Sequence, residues 1–192
     1  MVNFVGRERE LRDLSRLLER VKRGDRLDLG ITVAMRGRRR IGKSALATEF
    51  IKRSGVPSVY FQAARYRSLS EDLATFAEAI AASDLPLAFL AAHQEPRSLS
   101  DAFRLLAHVL PDNQPSVVVL DELPWLLEGS PGGAGELQRA WDRELSAKPV
   151  LLLLLGSNFG MMEALQKYDQ PLYGRATPMV LHELTPVDVQ KV

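Results

Sequence analysis

Cysteine is absent from the 192 residues, which removes disulfides, thiolate metal sites and a cysteine nucleophile from consideration. Histidine is scarce: His93, His108 and His182 have no metal-ligand spacing with one another and read as surface or partly buried residues. The longest apolar run, Val150 to Leu155, is far shorter than the roughly 20 residues a membrane-crossing helix needs. The start, Met-Val-Asn-Phe-Val-Gly-Arg, lacks the cationic segment and apolar core of a secretion signal, so a cytoplasmic protein without a membrane partner is expected. Nor does one sign of charge dominate. With 25 basic and 24 acidic residues the net charge is +1, which gives no global case for nucleic acid. No internal repeat or low-complexity tract is present, and 46% apolar with 26% charged residues fits one globular domain with a real core.

Against this ordinary background, residues 37 to 44 read Gly-Arg-Arg-Arg-Ile-Gly-Lys-Ser, a complete G-x-x-x-x-G-K-[ST] phosphate-binding loop. A nucleoside triphosphate carries several negative charges that only a tight array of donors holds. Gly37 and Gly42 allow backbone angles and approaches that side chains block, so the amides of Arg38, Arg39, Arg40 and Ile41 can face phosphate oxygens. Lys43 would reach the β- and γ-phosphates, and the Ser44 hydroxyl would take one position on an octahedral Mg²⁺. Context supports the motif. Residues 30 to 35 form a short apolar, β-branched run suited to a buried strand, and residues 43 to 51 are rich in helix formers, with Leu46, Ala47 and Phe50 on one face.

Two further apolar strands end in polar residues. Ser116 to Leu120 runs into Asp121-Glu122, where an aspartate would hold Mg²⁺ through water and a glutamate would polarise a water for in-line attack on the γ-phosphate. Pro149 to Leu155 runs into Gly156-Ser157-Asn158. Continuous apolar strands suggest burial on both faces of a parallel sheet. In such sheets ligands sit beyond the carboxyl ends of the strands, so Ser157 and Asn158 should reach the same edge as the phosphate loop. Asn158 then contacts the γ-phosphate or attacking water, or is a plain strand-ending turn. The cluster Arg36, Arg38, Arg39 and Arg40 is open to four readings: nucleotide phosphates, a neighbouring subunit, a DNA backbone, or a local rise in potential.

The remaining segments predict covering helices. Leu11, Leu14, Leu17, Leu18 and Val21 have helical spacing over residues 7 to 23, with Glu8/Arg12 and Glu19/Arg23 as exposed pairs and Gly24 as the stop. Residues 56 to 61 read as a strand. Ser68 with Glu71 has the form of a capping box, and Phe103, Leu106, Ala107 and Leu110 mark another helix. A Gly/Pro turn over 130 to 135 precedes a helix carrying Leu137, Ala140, Trp141 and Leu145, and residues 179 to 181 suggest a last strand. Trp125 and Trp141 are read as packing residues.

Five segments together resemble the archaeal-type AAA+-like ATPases of the STAND class, relatives of the origin-recognition ATPases. They are Phe4-Val-Gly-Arg-Glu-Arg-Glu-Leu11, the phosphate loop, Leu120-Asp-Glu122, Gly156-Ser-Asn158 and Pro171-Leu-Tyr-Gly-Arg175, and they span nearly the whole chain. The resemblance implies a three-layer α/β P-loop NTPase of the additional-strand catalytic-glutamate type, with a parallel five-stranded sheet flanked by helices. It places Gly6 and Arg7 beside the adenine and so implies ATP, in keeping with the absence of the Asn-Lys-x-Asp guanine motif. For Arg7 a helix-starting surface charge is the other reading. Arg175 resembles the family's arginine after the sensor strand, stabilising the transferring phosphoryl group in cis or across a subunit interface; a structural salt bridge is the alternative.

Proteins of this kind usually continue into a helical lid, a winged-helix module and often a nuclease-like region, whereas the sequence stops at Val192. The expectation is therefore an ATPase core over residues 1–192 without those parts. Three functions follow from the motifs together with the resemblance: an Mg²⁺-dependent ATPase using Glu122, Asn158 and Arg175; a nucleotide-gated switch with slow hydrolysis; or, from the arginine cluster as well, a DNA-binding ATPase module. ATP and ADP are the expected ligands. A homo-oligomer, DNA or an effector domain remain open as partners.

Overall fold

The computed structural model describes residues 4–24 and 29–184. Its centre is a five-stranded parallel sheet of β1 (Ile31–Arg36), β2 (Ser58–Gln62), β3 (Ser116–Asp121), β4 (Val150–Gly156) and β5 (Ala176–Val180), in the order β2-β3-β4-β1-β5. β4 is thus inserted between the phosphate-loop strand β1 and the strand β3 that ends in Asp121. This is the additional strand of the expected fold. Strands β1, β3 and β4 read as unbroken apolar runs because both faces are covered, and burial along β3 and β4 is complete.

One face packs on α1 (Glu8–Arg23) and α2 (Lys43–Ser54), through Leu14, Phe50, Val33, Met35, Val119 and Leu153. The other packs on α3 (Leu69–Ala81), α4 (Leu99–Val109), α5 (Leu123–Glu128), α6 (Gly133–Ala140) and α7 (Phe159–Ala164). There Phe76 lies 4.9 Å from Phe61 and 6.3 Å from Phe103, centroid to centroid. All three rings are fully buried, and truncating one to alanine costs about 3–5 kcal/mol. Among the described residues no helix is long and apolar enough to cross a membrane.

Local chemistry sets the element ends. Gly24, at φ 63°, closes α1 by donating its N–H to Val21 O, and the Ser68/Glu71 capping box opens α3. Four expectations are corrected. Glu8 and Glu19 pair not with Arg12 and Arg23 but with Arg53 of α2 and with Lys22. The helix expected after the 130–135 turn begins inside it, at Gly133. A Cβ on Gly133 would stand 2.8 Å from Leu99 Cδ1, so this glycine serves close helix packing while Gly132, at φ 81°, makes the turn. That helix then closes in a π turn over Trp141–Leu145, with Ser146 N–H donating to Trp141 O. The last strand starts three residues early, at Ala176. Its Thr-Pro sequence disguised it, but β5 is an edge strand, where proline is tolerated.

Candidate nucleotide-binding site

Parallel register aligns the carboxyl ends of three central strands. Arg36 pairs with Gly156 across β1 and β4, and Leu120 with Leu154 across β3 and β4, so the segments following Arg36, Leu120 and Gly156 emerge at one edge. The phosphate loop leaves β1 there and enters α2 at Gly42. Its two glycines answer different needs. Gly42 sits at φ 96° with open space around its Cα, so it supplies a backbone angle. At Gly37 a Cβ would meet Ile41 Cγ2 and Leu181 O at 3.0 Å, so it supplies room.

Lys43 is buried under the loop, and its Nζ donates to Gly37 O at 2.9 Å and Arg38 O at 3.2 Å. Burial lowers the affinity of this amine for its proton; the carboxylates of Glu122 and Asp121 oppose the shift, and Arg39 reinforces it. Next to it, Ser44 Oγ donates to Asp121 Oδ2 at 2.6 Å. That oxygen also accepts the Tyr60 hydroxyl at 2.6 Å, while Asp121 Oδ1 takes the Glu122 N–H at 2.8 Å. The Tyr60 phenol is held strongly in its protonated form, first by burial and then by this bond to Asp121. Sequence reasoning missed Tyr60, since no motif marks it.

Glu122 occupies a left-handed backbone conformation, φ 54° and ψ 43°, at the junction of β3 and α5. A non-glycine residue there is uncommon and stores strain. Its carboxylate is restrained by Ser157, whose Oγ and N–H donate to Glu122 Oε2 at 2.8 and 3.2 Å. Asn158 beside it caps α7, its Oδ1 accepting the Met161 N–H at 3.1 Å. Gly156 leaves no space between these elements, since a Cβ there would come within 2.9 Å of Pro124 Cδ and nearer still to Met162. A cleft of about 680 Å³ opens over this edge, lined by Arg39, Arg40, Gly42, Lys43, Ser44, Ala45 and Glu122.

Gly6 and Arg7 adopt successive left-handed conformations, φ 76° and 62°, as the chain enters α1. The Arg7 guanidinium is buried, donating to Ile41 O of the phosphate loop at 2.9 Å and to Glu10 Oε1 at 3.1 Å. It is no surface charge. The arginine cluster disperses. Arg36 stacks on the Phe159 ring at 4.6 Å, Arg39 lies over Trp125 at 5.6 Å, and exposed Arg38 approaches Glu183 at 3.7 Å. Arg40 adopts a left-handed turn, φ 62°, and lines the cleft.

Arg175 is elsewhere. It immediately precedes β5, where Ala176 pairs with Thr32 near the start of β1, so about 16 Å of strand separates it from its own phosphate loop. Its Nε and Nη2 form a two-pronged bond to Asp142 Oδ1 and Oδ2, each at 2.7 Å, and that bond holds its proton tightly.

For a magnesium ion the donors fit. Ser44 hydroxyl and Asp121 carboxylate are hard oxygen groups within 2.6 Å of each other, and Mg²⁺ takes only one or two protein ligands besides phosphates and water. No group of three or more His, Cys, Asp or Glu side chains converges as a metal site among the described residues. The parallel sheet, phosphate loop and acidic strand end define a P-loop nucleotide-binding domain.

Comparison with known proteins gives the family. Residues 3–153 match the AAA ATPase domain, and the chain belongs to that family. No curated protein matches it by sequence. Among solved structures it is similar to the ORC1 protein of Aeropyrum pernix in complex with DNA, at 22% identity and TM-score 0.65, over 99% of this chain and 48% of that one. A Walker-type ATPase of Pyrococcus abyssi aligns at 26% identity and TM-score 0.64, over 93% of this chain and 53% of the other. The ORC2 protein of Aeropyrum pernix, solved in ADPNP-ADP complexes, aligns at 20% identity and TM-score 0.64, over 94% and 50%. The chain therefore spans about half the length of the solved structures it matches.

Proposed function

We propose that this chain binds ATP with Mg²⁺ and hydrolyses it, as the core domain of an AAA+ ATPase of STAND type. The observation that carries the reading is the 2.6 Å hydrogen bond from Ser44 to Asp121. It joins the phosphate-loop helix to the acidic end of a different strand, with Lys43 and Glu122 at the same cleft. The amides of residues 38–42 and the Lys43 ammonium hold the β- and γ-phosphates. Lys43 Nζ donates to the carbonyls of Gly37 and Arg38, and on nucleotide binding it exchanges these for phosphate oxygens. Gly6 and Arg7 border the base, with Arg7 bracing the loop through Ile41 O.

Ser44 and Asp121 hold the metal. When bound, Mg²⁺ neutralises charge on the phosphates and orients them for in-line attack. Glu122 accepts the proton of the attacking water, Ser157 aims its carboxylate, and Asn158 offers its amide NH₂ to the γ-phosphate. Arg175 serves the phosphate of a neighbouring subunit, because its own lies at the opposite sheet edge.

Two experiments test the reading. Calorimetry with ATP and ADP, with and without Mg²⁺, should give binding that Lys43→Ala abolishes. Glu122→Gln should keep ATP binding and reduce steady-state phosphate release by about a hundredfold or more; unchanged turnover removes Glu122 from its role.

The remoteness of Arg175 from its own phosphate loop favours a second reading, a nucleotide-gated switch that hydrolyses slowly until copies assemble. Equal molecular size with ADP and with a non-hydrolysable ATP analogue would exclude an assembly switch.

A further inference from the structure

Strand geometry puts Tyr60 beside the acid at the end of β3. Tyr60 pairs with Val119 across β2 and β3, and Asp121 lies two residues on, so both project toward the α1/α2 layer that buries Val119. The phenol is long enough to cross that diagonal. It brings a second hydroxyl onto Asp121 Oδ2, beside the Ser44 hydroxyl, each at 2.6 Å. With Oδ1 engaged by the Glu122 N–H, the carboxylate carries three donors and has no free rotation.

The arrangement matters because Asp121 is almost wholly buried and its direction is set by these three bonds. A carboxylate with one anchor fewer would be freer to turn away from a metal bound by Ser44. Each hydroxyl carries a single proton. Ser44 spends its proton on Asp121 and so presents only lone pairs toward the cleft, a state that depends on Asp121 staying where it is.

Resting on the reading of Ser44 and Asp121 as the metal-holding pair, we propose that Tyr60 is a positioning residue for the divalent cation, fixing the Asp121 carboxylate through its hydroxyl. It touches neither nucleotide nor metal. Its substitution should therefore weaken what the metal adds to nucleotide affinity and leave metal-free nucleotide binding alone.

The test is calorimetry of a non-hydrolysable ATP analogue, with Mg²⁺ and with EDTA, on the wild-type chain and Tyr60→Phe. Phenylalanine keeps the ring and its packing, and thermal melting checks the fold. We expect equal affinity in EDTA and a metal-linked gain lowered by about three- to tenfold in Tyr60→Phe. In an Asp121→Asn background, adding Tyr60→Phe should cause no further loss, since the hydroxyl acts through Asp121. Equal metal-linked gains in wild type and Tyr60→Phe, or a further loss in the Asp121→Asn background, would overturn the proposal. If instead the wild type binds no analogue in a Lys43-dependent way, the nucleotide reading itself fails and this proposal falls with it.

Discussion

Ser157 places two donors on one oxygen of Glu122, its hydroxyl at 2.8 Å and its backbone N–H at 3.2 Å, joining the end of β4 to the end of β3. A carboxylate held in this way keeps one direction, and Glu122 is further constrained by its left-handed backbone. If Glu122 polarises the attacking water, Ser157→Ala should leave ATP affinity unchanged and lower kcat about three- to tenfold, because one of the two bonds remains. Equal kcat in a phosphate-release assay would separate Ser157 from hydrolysis.

Arg7 ties the entry to α1 to the phosphate loop through its hydrogen bond to Ile41 O. Its guanidinium is buried, so removal leaves a carbonyl and the Glu10 carboxylate without their partner. Arg7→Ala should cost about 1.5–3 kcal/mol of stability and weaken ATP binding by loosening the loop. Chemical denaturation and calorimetry on the same variant check both. Lysine should not restore the wild type, since it lacks the fork that reaches both acceptors.

Much of this architecture was legible in the sequence because the strands carry their own evidence. β1, β3 and β4 are apolar throughout, and the polar residues that end them had to meet at one edge of a parallel sheet. Tyr60 escaped because its role depends on which strand neighbours β3, and no local pattern encodes strand order. Arg175 could be assigned to a motif but not to a location, since only the pairing of Ala176 with Thr32 shows that it lies at the far edge. Arg36 looked like part of the loop's charge cluster; strand alternation turns it onto Phe159 instead.

Asp72 gives a pH-dependent test of the fold outside the site. Burial raises its pKa above the ordinary 3.8, although the Ala64 N–H and the charge of Arg67 favour the anion. The folded state therefore binds its proton more readily than the unfolded state, so stability falls as pH rises from below 3.8 through the folded pKa, and the ionised group is a net cost at neutral pH. Asp72→Asn keeps an acceptor for Ala64 N–H. It should raise Tm at pH 7, and this gain should shrink toward zero at acid pH, where both states carry the proton. A gain that persists undiminished at acid pH would rule out ionisation as its source.

Arg175 allows a complementation test between chains. It is held by Asp142 at the opposite end of β1 from its own phosphate loop, so a catalytic contact requires another subunit's site. Arg175→Ala should then keep ATP affinity and lose most turnover. Lys43→Ala should bind no nucleotide yet still present Arg175. Mixed in equal amounts, the two inactive variants should regain turnover, because a Lys43→Ala subunit lends its arginine to the intact site of an Arg175→Ala neighbour. Recovery should rise with protein concentration, as assembly requires. An Arg175→Ala chain with wild-type turnover would make the Asp142 pair purely structural, and its cost would then appear in thermal melting alone. An inactive variant that the partner fails to rescue under conditions where wild-type subunits assemble would count against sharing between subunits.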